Sequence, residues 1–111
     1  MTARLVDDGH RPELDVHGCT VDDAIALIRA LIVKAVDRGR DSIRIIHGAS
    51  TSGPNQACRT IKRALHELLD SRKLPLHIAS SLRAHAYTIV ALRSSSRRRN
   101  AQRITFRDLT R

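Results

Sequence analysis

Two short stretches of the chain carry residue types that together do phosphate chemistry. Asp15 and His17 stand two apart in Leu14-Asp15-Val16-His17-Gly18, and side chains two apart on an extended backbone project to one side. A carboxylate beside an imidazole can set the ring tautomer, raise its basicity or share a divalent metal. The same spacing also suits a plain ion pair from Asp15 to Arg44, with His17 as a solvated neighbour. The second stretch, Ile45-Ile46-His47-Gly48, runs into a small, hydroxyl-rich loop from Gly48 to Gly53 that includes Ser50 and Thr51. Backbone amides in such a loop, followed by a helix start, can cradle an anion. A flexible polar turn is the other reading. Gly48-x-x-x-x-Gly53 has half of a P-loop's spacing, but Pro54-Asn55 stands where Lys-Ser/Thr is required, which excludes a Walker-type ATPase.

The elements that must position these residues are read from periodicity. Leu14 to His17 alternates apolar with polar as a strand with one covered face does. Thr20 before Val21-Asp22-Asp23 is a helix start, since its hydroxyl can take a free amide and the acids favour the positive helix end. Val21, Ala24, Ile25, Ile28, Leu31, Ile32, Ala35 and Val36 then recur at helical spacing, and Gly39 suits a left-handed cap. Ser42 to His47 is a second strand. Pro54 opens a second helix, with Ala57, Ile61, Ala64, Leu65, Leu68 and Leu69 on one face, which stops before Pro75. Leu76 to Ala79 and Tyr87 to Leu92 are read as two further strands, separated by a segment at 80–86.

The order βαβαββ predicts an α/β two-layer sandwich, a mixed four-stranded sheet with two helices on one face. Its strand-helix-strand units pair in parallel through right-handed crossovers. Leu14, Val16, Ile43 and Ile45 then face the helices and Asp15, His17 and Arg44 the open side. The ends of strands one and two meet at the carboxyl edge of the sheet, where open α/β sheets usually bind ligands.

Composition narrows the partners. The chain has 111 residues and a formal charge of +9, with no Trp, one Tyr and one Phe, so it is one domain with an aliphatic core. Seven Arg and one acid fall within residues 93–111, so two thirds of the excess charge sits there. Residues 94–111, with Arg97, Arg98 and Arg99, read as a basic arm able to neutralise polyphosphate surfaces or as a solvated tail. Phe106 leaves open whether part of it docks back. Residues 1–11 read as an extension and 12–93 as the domain. Arg44, Arg59, Lys62 and Arg63 add positive charge to the domain itself. With so few rings, recognition of the nucleic-acid backbone or its structure fits better than reading stacked bases. Arg29 and Lys34 interrupt the longest apolar stretch, which is shorter than the roughly 20 residues of a membrane span, and the chain reads as cytoplasmic. Cys19 and Cys58 form no zinc or disulfide framework, and the six histidines match no metal motif.

Leu14-Asp15-Val16-His17-Gly18 and Ile45-Ile46-His47-Gly48 together resemble the small MutS-related (Smr) domain family, whose hallmarks are an LDxHG first strand and an HGxG turn. Thr20-Val21-Asp22-Asp23-Ala24 at the first helix, Arg59 early in the second and the element order extend the resemblance over about residues 12–93. It implies a fold similar to the C-terminal domain of bacterial translation initiation factor three and an endonuclease that nicks DNA or cleaves structured RNA. Asp15 and His17 would be its catalytic pair, with His47 and Gly48 forming a phosphate-contacting turn and stabilising charge. Ser50 stands where the family has its second turn glycine, and the loop is about two residues longer, with Gly53 the next glycine. Whether Mg2+ or Mn2+ assists stays open, because Asp15 alone is a poor all-protein site. A non-catalytic module for RNA, DNA or ribosomal particles and a protein-interaction domain are the rival expectations.

Overall fold

A computed structural model describes residues 3–48, 60–70, 78–93 and 103–109. The chain forms β1 (Arg4–Val6), β2 (Glu13–Asp15), α1 (Val21–Asp37), β3 (Ser42–Ile46), α2 (Ile61–Asp70), β4 (Ile78–Arg83), β5 (Tyr87–Leu92) and α3 (Phe106–Leu109). The sheet order is β1-β2-β3-β5-β4, with β2 and β3 parallel and every other pair antiparallel. The two-layer α/β fold with a mixed sheet is as expected. The sheet has five strands rather than four, because Arg4–Val6, read as part of an extension, pairs with β2 at the edge.

Each element follows from its residues. The Thr20 hydroxyl accepts the Asp23 amide at 3.2 Å and caps α1. Gly39 just beyond the helix takes a φ of 70°, a conformation that costs glycine little. Ala24, Leu27, Ile28, Leu31, Ile32, Ala35 and Val36 of α1 are buried. They pack with Leu14, Val16, Ile43, Ile45, Leu65 and Val90 into one aliphatic core. Cys19 packs at its margin. Ser80 to Arg83, read as a connecting segment, belongs to β4, an edge strand with a register irregularity between Ile78 and Ser80. That irregularity interrupts the two-residue alternation by which strands are recognised. The expectations for Leu76 and His77 lie outside the described residues.

The last segment is not wholly an arm. Ile104 and Leu109 are buried in the core cluster, and the Ile104 amide donates to Asp7 Oδ2 at 2.6 Å. Arg40 donates to the same oxygen at 2.9 Å, and both side chains of this ion pair are fully buried. Outside the pair, Arg38 joins the segment through the Arg103 carbonyl (2.9 Å) and Asp108 (3.4 Å). One carboxylate thus ties the start of the chain, the loop after α1 and the last segment together. Arg97, Arg98 and Arg99 lie outside the described residues.

Burial opposes ionisation of Asp7, but hydrogen bonds from Arg40, Ile104 and Gly9 and the Arg40 charge outweigh it and hold the carboxyl below 3.8. A native pKa below the unfolded one adds stability that is complete above the unfolded value and lost as pH falls through the native one. Replacing Asp7 by Ala leaves a buried guanidinium uncompensated, a loss of about 3–5 kcal/mol. Urea unfolding should show this destabilisation at neutral pH. Below about pH 4 the difference between wild type and Asp7→Ala should narrow as the wild-type carboxyl protonates.

Candidate phosphate-chemistry site

The parallel pair β2–β3 brings the two sequence motifs to one sheet edge. Its hydrogen bonds continue past the strand ends, from the Arg44 amide to the Pro12 carbonyl and from the Val16 amide to the Ile46 carbonyl, both 2.9 Å. Leu14 therefore stands beside Ile45 and Asp15 beside Ile46. Leu14, Val16, Ile43 and Ile45 are fully buried on the helix side, which leaves Asp15 and Arg44 to the open side.

At the end of β2 the chain turns at Gly18, with a φ of 86°. The turn lets one Asp15 oxygen, Oδ1, accept from both the His17 amide (3.1 Å) and the His17 ring Nδ1. The Asp15 side chain is 23% exposed and that of His17 66%. With its proton on Nδ1 facing a carboxylate, the neutral ring keeps its lone pair on Nε2. The pair is a carboxylate-oriented base on an exposed ring. Asp15 forms no ion pair with Arg44 among the described residues; the guanidinium carbon of Arg44 lies 4.1 Å from the centroid of the Tyr87 ring instead.

His47 does not join this pair on the open face. It continues the Ile43, Ile45 parity toward the helices and is buried. Its Nδ1 donates to the Gly48 carbonyl at 2.7 Å, and its Nε2 contacts the Thr88 hydroxyl at 2.9 Å. A proton on Nδ1 makes Nε2 an acceptor, so Thr88 donates to it. The Thr88 oxygen in turn takes His66 Nε2–H at 3.3 Å, and the His47 and His66 rings meet edge to face, 5.9 Å apart. Both ring nitrogens of His47 are thus occupied inside the fold, a placement unlike the direct substrate contact expected from sequence. The amides of His47 and Gly48 are also engaged, donating to the Ala86 carbonyl at 3.2 and 3.0 Å. The expected Gly48 phosphate donor is therefore already bonded in this structure.

What the turn does supply is closeness. Gly48 has a φ of 88°, and a methyl placed on it would sit 3.8 Å from the His17 Cβ. The two motifs are thus neighbours at Gly48 and the base of His17, with His47 anchoring the turn from beneath. Thr88 and His66 were not singled out in the sequence as members of this network. The available signal was a threonine at a core-facing position of β5, between apolar neighbours, where a buried hydroxyl requires a partner.

Two of the other expected residues make contacts within the fold. Lys62 donates to the His85 carbonyl at 2.9 Å, and Arg63 pairs with Glu67 on an exposed helix face at 3.4 Å. Ser50, Thr51, Gly53 and Arg59 lie outside the described residues. Among the described residues no group of three or more His, Cys, Asp or Glu is arranged to hold a metal. A divalent ion at Asp15 would have that one carboxylate and the substrate's own phosphate oxygens as ligands.

Burial first, then the charge of Lys62, lowers the His47 pKa below 6.5 despite the Gly48 carbonyl bond that raises it. Burial, Arg83, His47 and Lys62 lower that of His66 against the opposing effect of Asp70. Both shifts favour the neutral ring, so this contribution to stability is complete above about pH 6.5 and declines as pH falls below it. Replacing Thr88 by Val keeps the shape but leaves the buried His47 Nε2 without its donor. Denaturant titration should register a loss of about 1–3 kcal/mol.

The family model of the Smr domain matches residues 14–93. Among solved structures, the crystal structure of the Smr domain of Thermus thermophilus MutS2 is similar to this chain at 26% identity, with a TM-score of 0.57 over 73% of this chain and 96% of that one. A search of curated protein sequences gives no match. Among the described residues no helix is long and apolar enough to cross a membrane. The LDxHG strand, the HG turn beside it, the mixed sheet and the match over most of the length make this chain a member of the Smr domain family.

Proposed function

We propose that the chain binds nucleic acid and cleaves its phosphodiester backbone at the Asp15–His17 pair. The observation that carries this reading is the exposed His17 ring, fixed by Asp15 at Nδ1 and seated against Gly48 at the carboxyl edge of the sheet. His17 Nε2 takes the proton of an attacking water or 2′-hydroxyl, the new oxygen–phosphorus bond forms, and the bond to the leaving oxygen breaks. Asp15 holds the tautomer and stabilises the imidazolium. His47, Thr88 and His66 act as positioning residues, because they reach the reacting region only through Gly48. The net charge of +9 suits a polyanionic substrate, and binding should weaken steeply with added salt. The same chemistry serves DNA or RNA, free or within a ribosomal particle.

A second reading, binding without cleavage, is favoured by one observation: the Gly48 amide, the expected donor to phosphate, already serves the Ala86 carbonyl. Incubation with labelled closed-circular DNA and hairpin RNA, with and without EDTA, separates the two. Asp15→Asn and His17→Ala should each lower the cleavage rate by about 10²–10⁴-fold while keeping affinity within a few-fold of wild type. Equal cleavage by both variants would remove the pair from the chemistry, and binding without cleavage by wild type would select the second reading. Gly48→Ala should be strained by its φ rather than by crowding, with a cost near 1 kcal/mol and a drop in cleavage.

A further inference from the structure

The open face carries a second feature one row along from the catalytic pair. A cleft of about 540 Å³ is lined by Asp8, Arg11, Glu13, Asp41, Ser42 and Arg44, among others. Its floor is the start of the parallel pair, where Glu13 of β2 and Arg44 of β3 are register partners and stand on neighbouring strands about 4.8 Å apart. Glu13 lies two residues before Asp15 on the same face of the same strand, so the cleft and the proposed reacting centre share one surface.

Several of the lining groups are fixed by the fold. Asp8 Oδ1 accepts the amides of His10 and Arg11 at 2.8 and 2.9 Å, and Arg11 Nε donates to the Ser42 hydroxyl at 3.0 Å. Glu13 and Arg44 are different. Although adjacent and opposite in charge, they form no ion pair with each other among the described residues, and the buried Nε of Arg44 has no hydrogen-bond partner. The Tyr87 ring supports the guanidinium from the side.

Asp8, Glu13 and Asp41 make the cleft unsuited to phosphate, which a chain of +9 binds elsewhere. A carboxylate and a guanidinium side by side complement a neutral group that presents hydrogen-bond donors to the one and acceptors to the other. Among nucleobases guanine has this edge: N1–H and N2–H₂ beside O6, with N7 next in line. A carboxylate accepts from the first two, and a guanidinium donates to the others. Adenine offers a single donor group there, and uracil a single ring N–H. Since Arg44 occupies the face of Tyr87, the base is read by its edge rather than by stacking.

We propose that this cleft receives an unpaired guanine, with Glu13 accepting from N1 and N2 and Arg44 donating to O6 and N7, and so selects the nucleotide beside the reacting phosphate. The inference rests on the nucleic-acid-binding reading but not on cleavage.

The test is fluorescence anisotropy of the full chain with single-stranded heptanucleotides, in ribo and deoxy forms, that differ only at the central base: G, inosine or A. Gel electrophoresis confirms that the strands stay intact during the measurement. The G strand should bind roughly tenfold tighter than the A strand, the value of one good bidentate contact. Inosine, which keeps N1 and O6 but lacks the N2 amino group, should fall between. Glu13→Gln should reduce the G-over-A preference to less than about twofold. The inosine comparison needs no variant and holds even where Glu13→Gln unfolds. Equal binding of all three strands would overturn the guanine cleft while leaving nucleic-acid binding in place. A G preference undiminished in folded Glu13→Gln would also overturn it. No binding of any strand would overturn both.

Discussion

Everything at the sheet edge depends on the parallel pairing of β2 with β3. These strands are short, and the hydrogen bonds from Arg44 to Pro12 and from Val16 to Ile46 extend the ladder beyond both ends of β2. Because successive strand residues alternate faces, a slip of one position would exchange Leu14 and Val16 with Asp15 and His17. That would place a carboxylate and an imidazole in an aliphatic core. The cost of burying those groups is what makes the register single-valued, and the same register sets His17 against Gly48.

Beneath this edge lies a layer of polar groups with no role in filling the core. Thr88 is fully buried and His47 nearly so. They are accommodated because each donor meets an acceptor in sequence, from His66 to Thr88, from Thr88 to His47, and from His47 to the Gly48 carbonyl. A chain of this kind has a direction, and it ends on the backbone of the residue whose left-handed conformation brings the turn to His17. The two rings on the covered side of the sheet thus anchor the Gly48 turn from beneath. An oriented group keeps its geometry only when its support cannot rotate.

Much of this was legible in the sequence. Thr20 and Gly39 mark the limits of α1, and the alternation around Leu14 and Ile43 assigns the buried and open faces. The Asp15–His17 contact follows from spacing two along a chain that ends in glycine. What the sequence did not disclose shares one cause, which is that single residues decided it. The family resemblance groups His47 with Asp15 and His17, although its parity with Ile43 and Ile45 sends it to the helices. Arg4–Val6 is too short to show a period, and it becomes a strand through its partner β2. The basic composition around residues 93–111 concealed Ile104 and Leu109, two apolar side chains that reach the core. Asp7 and Arg40 are distant in sequence, and nothing in their spacing announces the ion pair that the Ile104 amide joins.

The Asp7 node also bears on how the molecule comes to be made. Its third member, Ile104, follows Asp7 by 97 residues. While the chain grows on a ribosome, β1, β2, α1 and β3 emerge first, but the Asp7 and Arg40 charges lack their last hydrogen bond and their apolar cover until residues 104–109 have emerged. Contacts so distant in sequence close late and slowly. The nascent domain therefore stays partly wet at its base until Ile104 and Leu109 arrive to cover it.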